Sequence, residues 1–288
     1  MVTKTLAHVL LGLMCMLAAV PLCAEQKPSP LIIGVFPRRS VQVTTRLFTP
    51  LASYLSHELK RPVKLETSYD FASFWERVKH RRYDIVHYNQ YHYLRSHKTQ
   101  GYRVIAKNEE FGSATIAGAI VVRSDSGIHS LRELKGKKIV FGGDRLAMQA
   151  YIGATYLLRQ AGLKQGDYFE QFALNPPKAA IATYYHQAMA AGTGNHVLAL
   201  PQVRKEIDDG QMKYLATSPP IAQLPWAVKA NMPGQLVKQI TRLLTSLHKT
   251  AEGKALLKDM RVSNILPATD SDYDSARRII KAVLHEDL

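Results

Sequence analysis

Cysteine is almost missing from this chain. Two occur in 288 residues, Cys15 and Cys23, and both lie within the first 24. Beyond that segment, disulfides, thiol catalysis and Cys-ligated metal sites are excluded. Acidic residues are also few: 23 Asp and Glu stand against 38 Lys and Arg, a net charge of +15. That excess favours anionic partners, whether nucleic acid, an anionic membrane surface or small acidic ligands. No apolar run reaches the ~20 residues that cross a bilayer. The GxSxG, Walker, GxGxxG and HExxH spacings are absent, and no carboxylate pair stands in a catalytic context, so an enzyme is not expected. His87, His92, His97, His186 and His196 invite a metal reading. They do not share one helix at ligand spacing, so no metal or other cofactor is expected. Hydrophobic residues make up 46% and charged residues 21% of the chain, which is a globular composition of one or two domains.

What is present begins with an export signal. Met1 to Ala24 has one charged side chain, Lys4, then an apolar run from Val9 to Val20 broken only by Gly12, then Pro21-Leu22-Cys23-Ala24. A basic start, a short apolar core and a small terminal residue are the layout of a secretory signal. Cleavage is expected after Ala24, which places the mature protein in the periplasm. A lipid anchor on Cys23 is not expected, because Leu22 stands where a small residue belongs. An exported protein does not meet nucleic acid routinely, so that partner ranks last.

After residue 30, short apolar runs alternate with amphipathic stretches. Leu31–Phe36, Val63–Thr67, Tyr83–Tyr88, Tyr102–Lys107 and Ile116–Val122 read as strands. Between them, Thr44–Leu59 carries Leu47, Leu51, Leu55 and Leu59 on one stripe, with Pro50 as a kink or restart, and Phe71–Lys79 and Tyr91–His97 read as helices. The pattern then repeats. Strands are predicted at Lys138–Phe141, Phe172–Leu174, Val197–Leu200, Met212–Ala216 and Trp226–Lys229. Helices are predicted at Leu131–Leu134, Met148–Ala161 and Lys178–Ala191, and near Pro233–His248, Ala251–Met260 and Asp272–Leu284. Strand–helix alternation implies βαβ units and mostly parallel sheets flanked by helices. Two such groups imply an α/β protein of two lobes. Residues 25–116 and 220–288 form lobe one and residues 117–219 form lobe two. The chain crosses between them twice, and the C-terminal helices return to lobe one.

An exported chain with "LIIGVFPRRS", "FTPLASYLSHELKRPVKLETSYDFASFWERVKHRRYDIVHYNQYHYL", "IVVRSDSGIHSLRELKGKKIVFGG" and "YLLRQAGL" in this order resembles the phosphate/phosphite/phosphonate-type substrate-binding proteins of ABC transporters. The likeness covers about residues 31 to 260. It implies a type II periplasmic-binding fold with two hinge crossings and a small ligand trapped between the lobes by hinge closure. It also implies a membrane ABC permease as partner. A sensory subunit reporting to a membrane kinase or cyclase is the alternative, and an enzyme on the same scaffold is the third. A monomer is expected. The family's tyrosine contact past the third strand matches Tyr88. The helix-start positions that carry Ser and Thr in the family fall near Leu146, Ala147 and Met148, with no hydroxyl. The aromatic contact in the crossing strand falls near Thr115 or Ile116, a family His falls on Lys178, and a family acidic residue falls on Leu224.

Ligands of open α/β sheets sit beyond the carboxyl ends of strands, and the candidate residues follow from that rule. Arg38 and Arg39 follow the first strand, and each guanidinium offers a donor fork for an anion or, equally, a solvated surface charge. Tyr69 follows the second strand. Tyr88, Asn89 and Gln90 follow the third. Gly143, Asp144 and Arg145 lie between a strand and a helix start, as an anion-binding turn or an ordinary N-cap turn. With Thr115 and Lys178 they complete the expected ligand-binding set for a small anionic ligand.

Overall fold

The computed structural model describes residues 29–288. The expected signal segment, its cleavage bond and Cys23 lie outside the described residues. The order of elements begins β1 Leu31–Val35, α1 Val41–Glu58, β2 Val63–Glu66, α2 Phe71–Lys79, β3 Ile85–His87, α3 Gln90–Gln100 and β4 Arg103–Glu109. Ser40 caps α1 by accepting from the Val43 N–H at 3.3 Å. Leu47, Leu51 and Leu55 are buried along one stripe of it, and the helix runs through Pro50 without the expected restart. Asp70 and Asn89 cap α2 and α3 in the same way, as short polar side chains do at helix starts.

The first sheet has the order β13–β4–β12–β3–β1–β2, where β12 is Pro225–Val228 and β13 is Asn264–Pro267. Its β3, β1 and β2 are parallel, while β12 and β13 pair antiparallel to their neighbours. The second sheet has the order β10–β6–β9–β7–β8, with β6 Gly118–Arg123, β7 Lys138–Gly142, β8 Phe169–Ala173, β9 Ala190–Gly194 and β10 Met212–Thr217. Here β9, β7 and β8 are parallel and β6 and β10 antiparallel. Each sheet is therefore mixed rather than mostly parallel. The cause is the crossings: β4 runs out toward one and β12 runs back from the other, with no helical crossover to restore a parallel direction. Between the sheets lies a two-stranded antiparallel ribbon, β5 Thr115–Ile116 paired with β11 Ile221–Ala222.

Three local expectations are corrected. The predicted helix Lys178–Ala191 ends early, as α5 Pro176–Tyr184, and the strand lies at β9 rather than at Val197–Leu200, where a 3-10 turn Val197–Ala199 stands. The β9 sequence Ala-Ala-Gly-Thr-Gly has one β-branched residue, Thr193, and no large apolar side chain to mark a strand. Its small residues serve packing: a Cβ on Gly192 would stand 2.3 Å from the Ala150 carbonyl oxygen. That carbonyl belongs to a π-helix, Met148–Gly153, which opens the helix continued by α4 Ala154–Gln160. Gly118 admits the same π-helix from β6, with a virtual Cβ 2.7 Å from the Gln149 carbonyl oxygen. The strand β13 was not predicted at all.

After β12, helices α7 Gly234–Thr245 and α8 Ala251–Met260 pack into the core of the first sheet through Ile240, Leu244 and Leu257. The last helix, α9 Asp274–Leu284, does not pack on lobe one alone. Its Ile279, Ile280 and Val283 join an apolar cluster that also holds Ile120 and Phe141 of the second sheet, and Arg159 of α4 donates to the Ala282 carbonyl at 2.7 Å. The remaining short helix, α6, spans Pro201–Arg204.

Candidate functional site

The carboxyl ends of β1, β3 and β4 form one wall of the cleft. After β1 the chain passes Phe36 and Pro37 to two adjacent arginines with different surroundings. Arg38 makes a bidentate pair with Glu110, Nη1 to Oε1 at 3.0 Å and Nη2 to Oε2 at 3.2 Å. Glu110 is 6% exposed and also accepts from Asn108 Nδ2 at 3.0 Å, while Asn108 Oδ1 accepts from Trp226 Nε1 at 2.8 Å. Burial opposes ionisation of Glu110. The Arg38 charge and the hydrogen bonds from Arg38 and Asn108 outweigh it and hold the carboxyl below its usual range. Arg39 is half-buried and has no hydrogen-bond or ion-pair partner among the described residues. Burial, and then the Arg38 charge, bring its pKa down to about 9, against the opposing pull of Glu110. A half-buried guanidinium without acceptors is costly unless something supplies them.

Beneath the arginines His87 stacks on Trp226, with centroids 4.3 Å apart and planes at 14°. Its Nδ1 meets the Pro225 carbonyl at 3.0 Å. Burial brings its pKa down to about 3 despite that bond, so the ring is neutral at pH 7.

The end of β3 corrects the expectation for Tyr88. Strand alternation sends its ring away from the cleft into the core beside Tyr93 and Tyr102, fully buried, with the hydroxyl 2.7 Å from Ser96 Oγ. Asn89 and Gln90 do reach the opposing lobe. Asn89 Nδ2 donates to the Leu146 carbonyl at 3.3 Å while its Oδ1 accepts from the His92 N–H at 2.8 Å. Gln90 Nε2 donates to the Ala222 carbonyl of β11 at 2.7 Å, and its Oε1 accepts from Gln149 Nε2 at 2.8 Å. Gln90 is fully buried by these partners.

On the lobe-two wall three N–H groups of the turn after β7, those of Gly143, Leu146 and Ala147, are used within the protein. Gly143 has φ +120°, a conformation suited to glycine, and its N–H donates to the Ala173 carbonyl at 2.9 Å. Asp144 Oδ1 accepts from the Leu146 N–H at 2.8 Å, and the Ala147 N–H donates to the Asp144 carbonyl at 3.1 Å. Leu146 and Ala147 pack against the apolar cluster. Arg145 does not face the cleft anion expected for it: it pairs with Glu170 at 2.5 Å and donates to Tyr151 Oη at 2.8 Å. Lys178 is also displaced from the expectation. It lines a cavity of about 350 Å³ with Val140, Gln171, Ile181 and Tyr185, on the α5 side of the second sheet. Tyr69 is 89% exposed and makes no described contact. Thr115 belongs to the crossing ribbon, where its Oγ1 meets Ser113 Oγ at 3.2 Å. Leu224 is buried.

Four residues important to this geometry were not among the predicted site residues. Asn108 and Glu110 fix Arg38, Gln149 meets Gln90, and Phe111 stacks on His196 with centroids 5.1 Å apart and planes at 22°. The usable signal was Glu109-Glu110, an acidic pair in a basic chain immediately before the crossing. His196 entered the sequence reading only as a metal candidate. Its Nε2 is buried without a partner among the described residues.

Comparison with known proteins agrees with this architecture. Residues 33–273 match the family model described as ABC transporter, phosphonate, periplasmic substrate-binding protein. A methylphosphonate complex of a protein from Prochlorococcus marinus is similar at 16% identity and TM-score 0.77, covering 89% of this chain and 99% of the other. The binding-protein component of an ABC phosphonate transporter from Pseudomonas aeruginosa is similar at 17% identity and TM-score 0.73, covering 89% and 86%. An ATP-bound protein from Xanthomonas citri is similar at 15% identity and TM-score 0.75, covering 90% and 98%. At such identities these structures bear on the fold, which is two-lobed and periplasmic-binding in type.

Proposed function

The chain belongs to the family of periplasmic substrate-binding proteins of phosphonate ABC transporters, and from that premise we propose that it captures a small anionic solute between its lobes and presents it to a membrane permease. The observation that carries this reading is the arrangement of the two sheets. Two sheets are joined through the β5–β11 ribbon, and direct bonds from Asn89 and Gln90 to Leu146 and Gln149 bring the walls together. Such a ribbon is a natural hinge, and the α9 contacts with the second sheet and with Arg159 are the ones a swing of the lobes would have to carry or break. The lobes divide as residues 25–116 with 220–288 against residues 117–219. The mature protein starts after Ala24, carries no lipid and acts as a monomer. The anionic character of the solute rests on the basic balance of the chain and on Arg39 at the end of β1, since Glu110 neutralises Arg38.

The test is a thermal-shift screen against oxyanions, phosphonates, carboxylates and amines, followed by small-angle scattering with any stabilising compound. A compound bound only by the folded state adds RT ln(1 + [L]/Kd), about 2.7 kcal/mol at a hundredfold excess over Kd. Stabilisation by an anion with a smaller radius of gyration is expected. Stabilisation by cations alone, or chemical turnover of the bound compound, contradicts the reading.

A further inference from the structure

We infer that the anion-binding centre of the cleft is formed by Arg39 and His196 at its crossing end, where an oxyanion head group bridges the lobes, and that the turn from Gly143 to Met148 takes no anion. The inference rests on the reading of the chain as a solute-binding protein and adds the place and the chemistry of the contact.

Polar atoms without partners mark where a ligand is missing, because burying such groups unpaired is costly. One such buried atom among the described residues, His196 Nε2, lies at the crossing end, where the half-buried Arg39 also stands unpaired. Arg39 has no acceptor among the described residues, and its neighbour Arg38 is fully engaged by Glu110. With Arg261 also acting on Arg39, the local balance is cationic. His196 Nε2 is buried and unpartnered, and its ring comes from the other lobe. Phe111, on the lobe-one side of the crossing, stacks on that ring at 5.1 Å. Glu110 links the two: it pairs with Arg38, the residue before Arg39, and it precedes Phe111, which stacks on His196. Burial keeps the His196 pKa below its usual value, with Glu110 acting against the shift, so a neutral imidazole can donate from Nε2. A guanidinium fork and one ring N–H suit the spread acceptors of a sulfate, phosphate or phosphonate head group.

The lobe-two turn has the opposite character. The N–H groups of Gly143, Leu146 and Ala147 are all used within the protein. Asp144 contributes a negative charge, and Leu146 and Ala147 contribute apolar surface. An anion placed there would meet the Asp144 carboxylate and the apolar Leu146 and Ala147 side chains. The cleft thus offers charge at one end and a sealed polar–apolar contact at the other.

The experiment is calorimetric titration of the full chain with sulfate, inorganic phosphate, methylphosphonate and acetate at constant ionic strength. Arg39→Gln and His196→Ala should each weaken the tightest of these by about tenfold to a hundredfold, the equivalent of one lost hydrogen bond to a charged group. Arg39→Lys should recover part of the loss, which separates charge from folding, and unchanged melting temperatures keep the comparison fair. Asp144→Asn should stay within about twofold, because nothing anionic sits near its carboxylate. A large gain in affinity in Asp144→Asn, with Arg39→Gln unaffected, would move the anion to the turn and overturn the inference. No binding of any of the four probes to the wild type would overturn it too. In that case compaction by a compound of another class would leave the solute-binding reading standing.

Discussion

Arg39 and Arg145 both follow a strand of a parallel core, one in each lobe, and the sequence around them gives no reason to treat them differently. Arg145 finds Glu170 and Tyr151 within its own lobe and lies over the Tyr151 and Phe172 rings. Arg39 finds nothing, although Glu110 is near, because Arg38 occupies both oxygens of that carboxylate. The difference lies in the supply of acceptors. A charge that its own lobe neutralises is structural, and one left half-buried beside an occupied carboxylate is available to a ligand.

The strongest way to break the contrast is to remove Glu110. Glu110→Ala would leave Arg38 and Arg39 side by side with no counter-charge. Breaking a buried pair costs 3–5 kcal/mol in general, and because the Arg38 side chain is 33% exposed, a loss of about 2–4 kcal/mol is expected in chemical denaturation.

Acid should act almost as strongly, and on the same end. His87 has a folded pKa of about 3 against 6.5 when unfolded. Below pH 6.5 the unfolded chain takes up a proton that the folded chain refuses, so stability falls as pH drops from 6.5 toward 3. By pH 4.5 the loss from this residue should reach about 2–3 kcal/mol. A denaturation series in His87→Phe should show a shallower decline. Glu110 titrates in a different window. Its depressed carboxyl contributes stability above the unfolded pKa of 4.5, and that contribution is lost only as pH falls below this value. Equal pH profiles for His87→Phe and wild type would mean that the ring is not buried as described.

Tyr88→Phe sharpens the comparison at an intermediate size. The hydroxyl bonds Ser96 in the core, so its loss should lower stability by about 0.5–1.5 kcal/mol and leave the affinity for any bound anion unchanged. A selective loss of affinity would put Tyr88 back in the cleft. The smallest effect is expected at the other arginine. The Arg145 side chain is 50% exposed, so Glu170→Ala should cost less than about 1 kcal/mol, as denaturant midpoints would show.

Much of the architecture was legible because periodicity follows burial. The helix at Phe71–Lys79 and that at Ala251–Met260 were predicted with the bounds that the structure has. The strand β9 was illegible because its residues answer to the π-helix pressed against it, and small side chains carry no alternation. The strand ends were readable, and Arg38, Arg39, Asn89 and Gln90 do follow β1 and β3. Side-chain direction was not readable. Tyr88 lies two residues beyond Val86 and shares its inward face, and Arg145 turns to a glutamate 25 positions away. Glu110 and His196 matter through neighbours that only folding supplies.

The most direct measurement is an anomalous-scattering map from crystals grown with selenate, which is tetrahedral, divalent and visible at its own absorption edge. The account predicts an ordered peak within hydrogen-bond reach of both Arg39 and His196, with the lobes closed around it. An ordered peak at the Gly143–Met148 turn, with Arg39 still unpartnered, would contradict it.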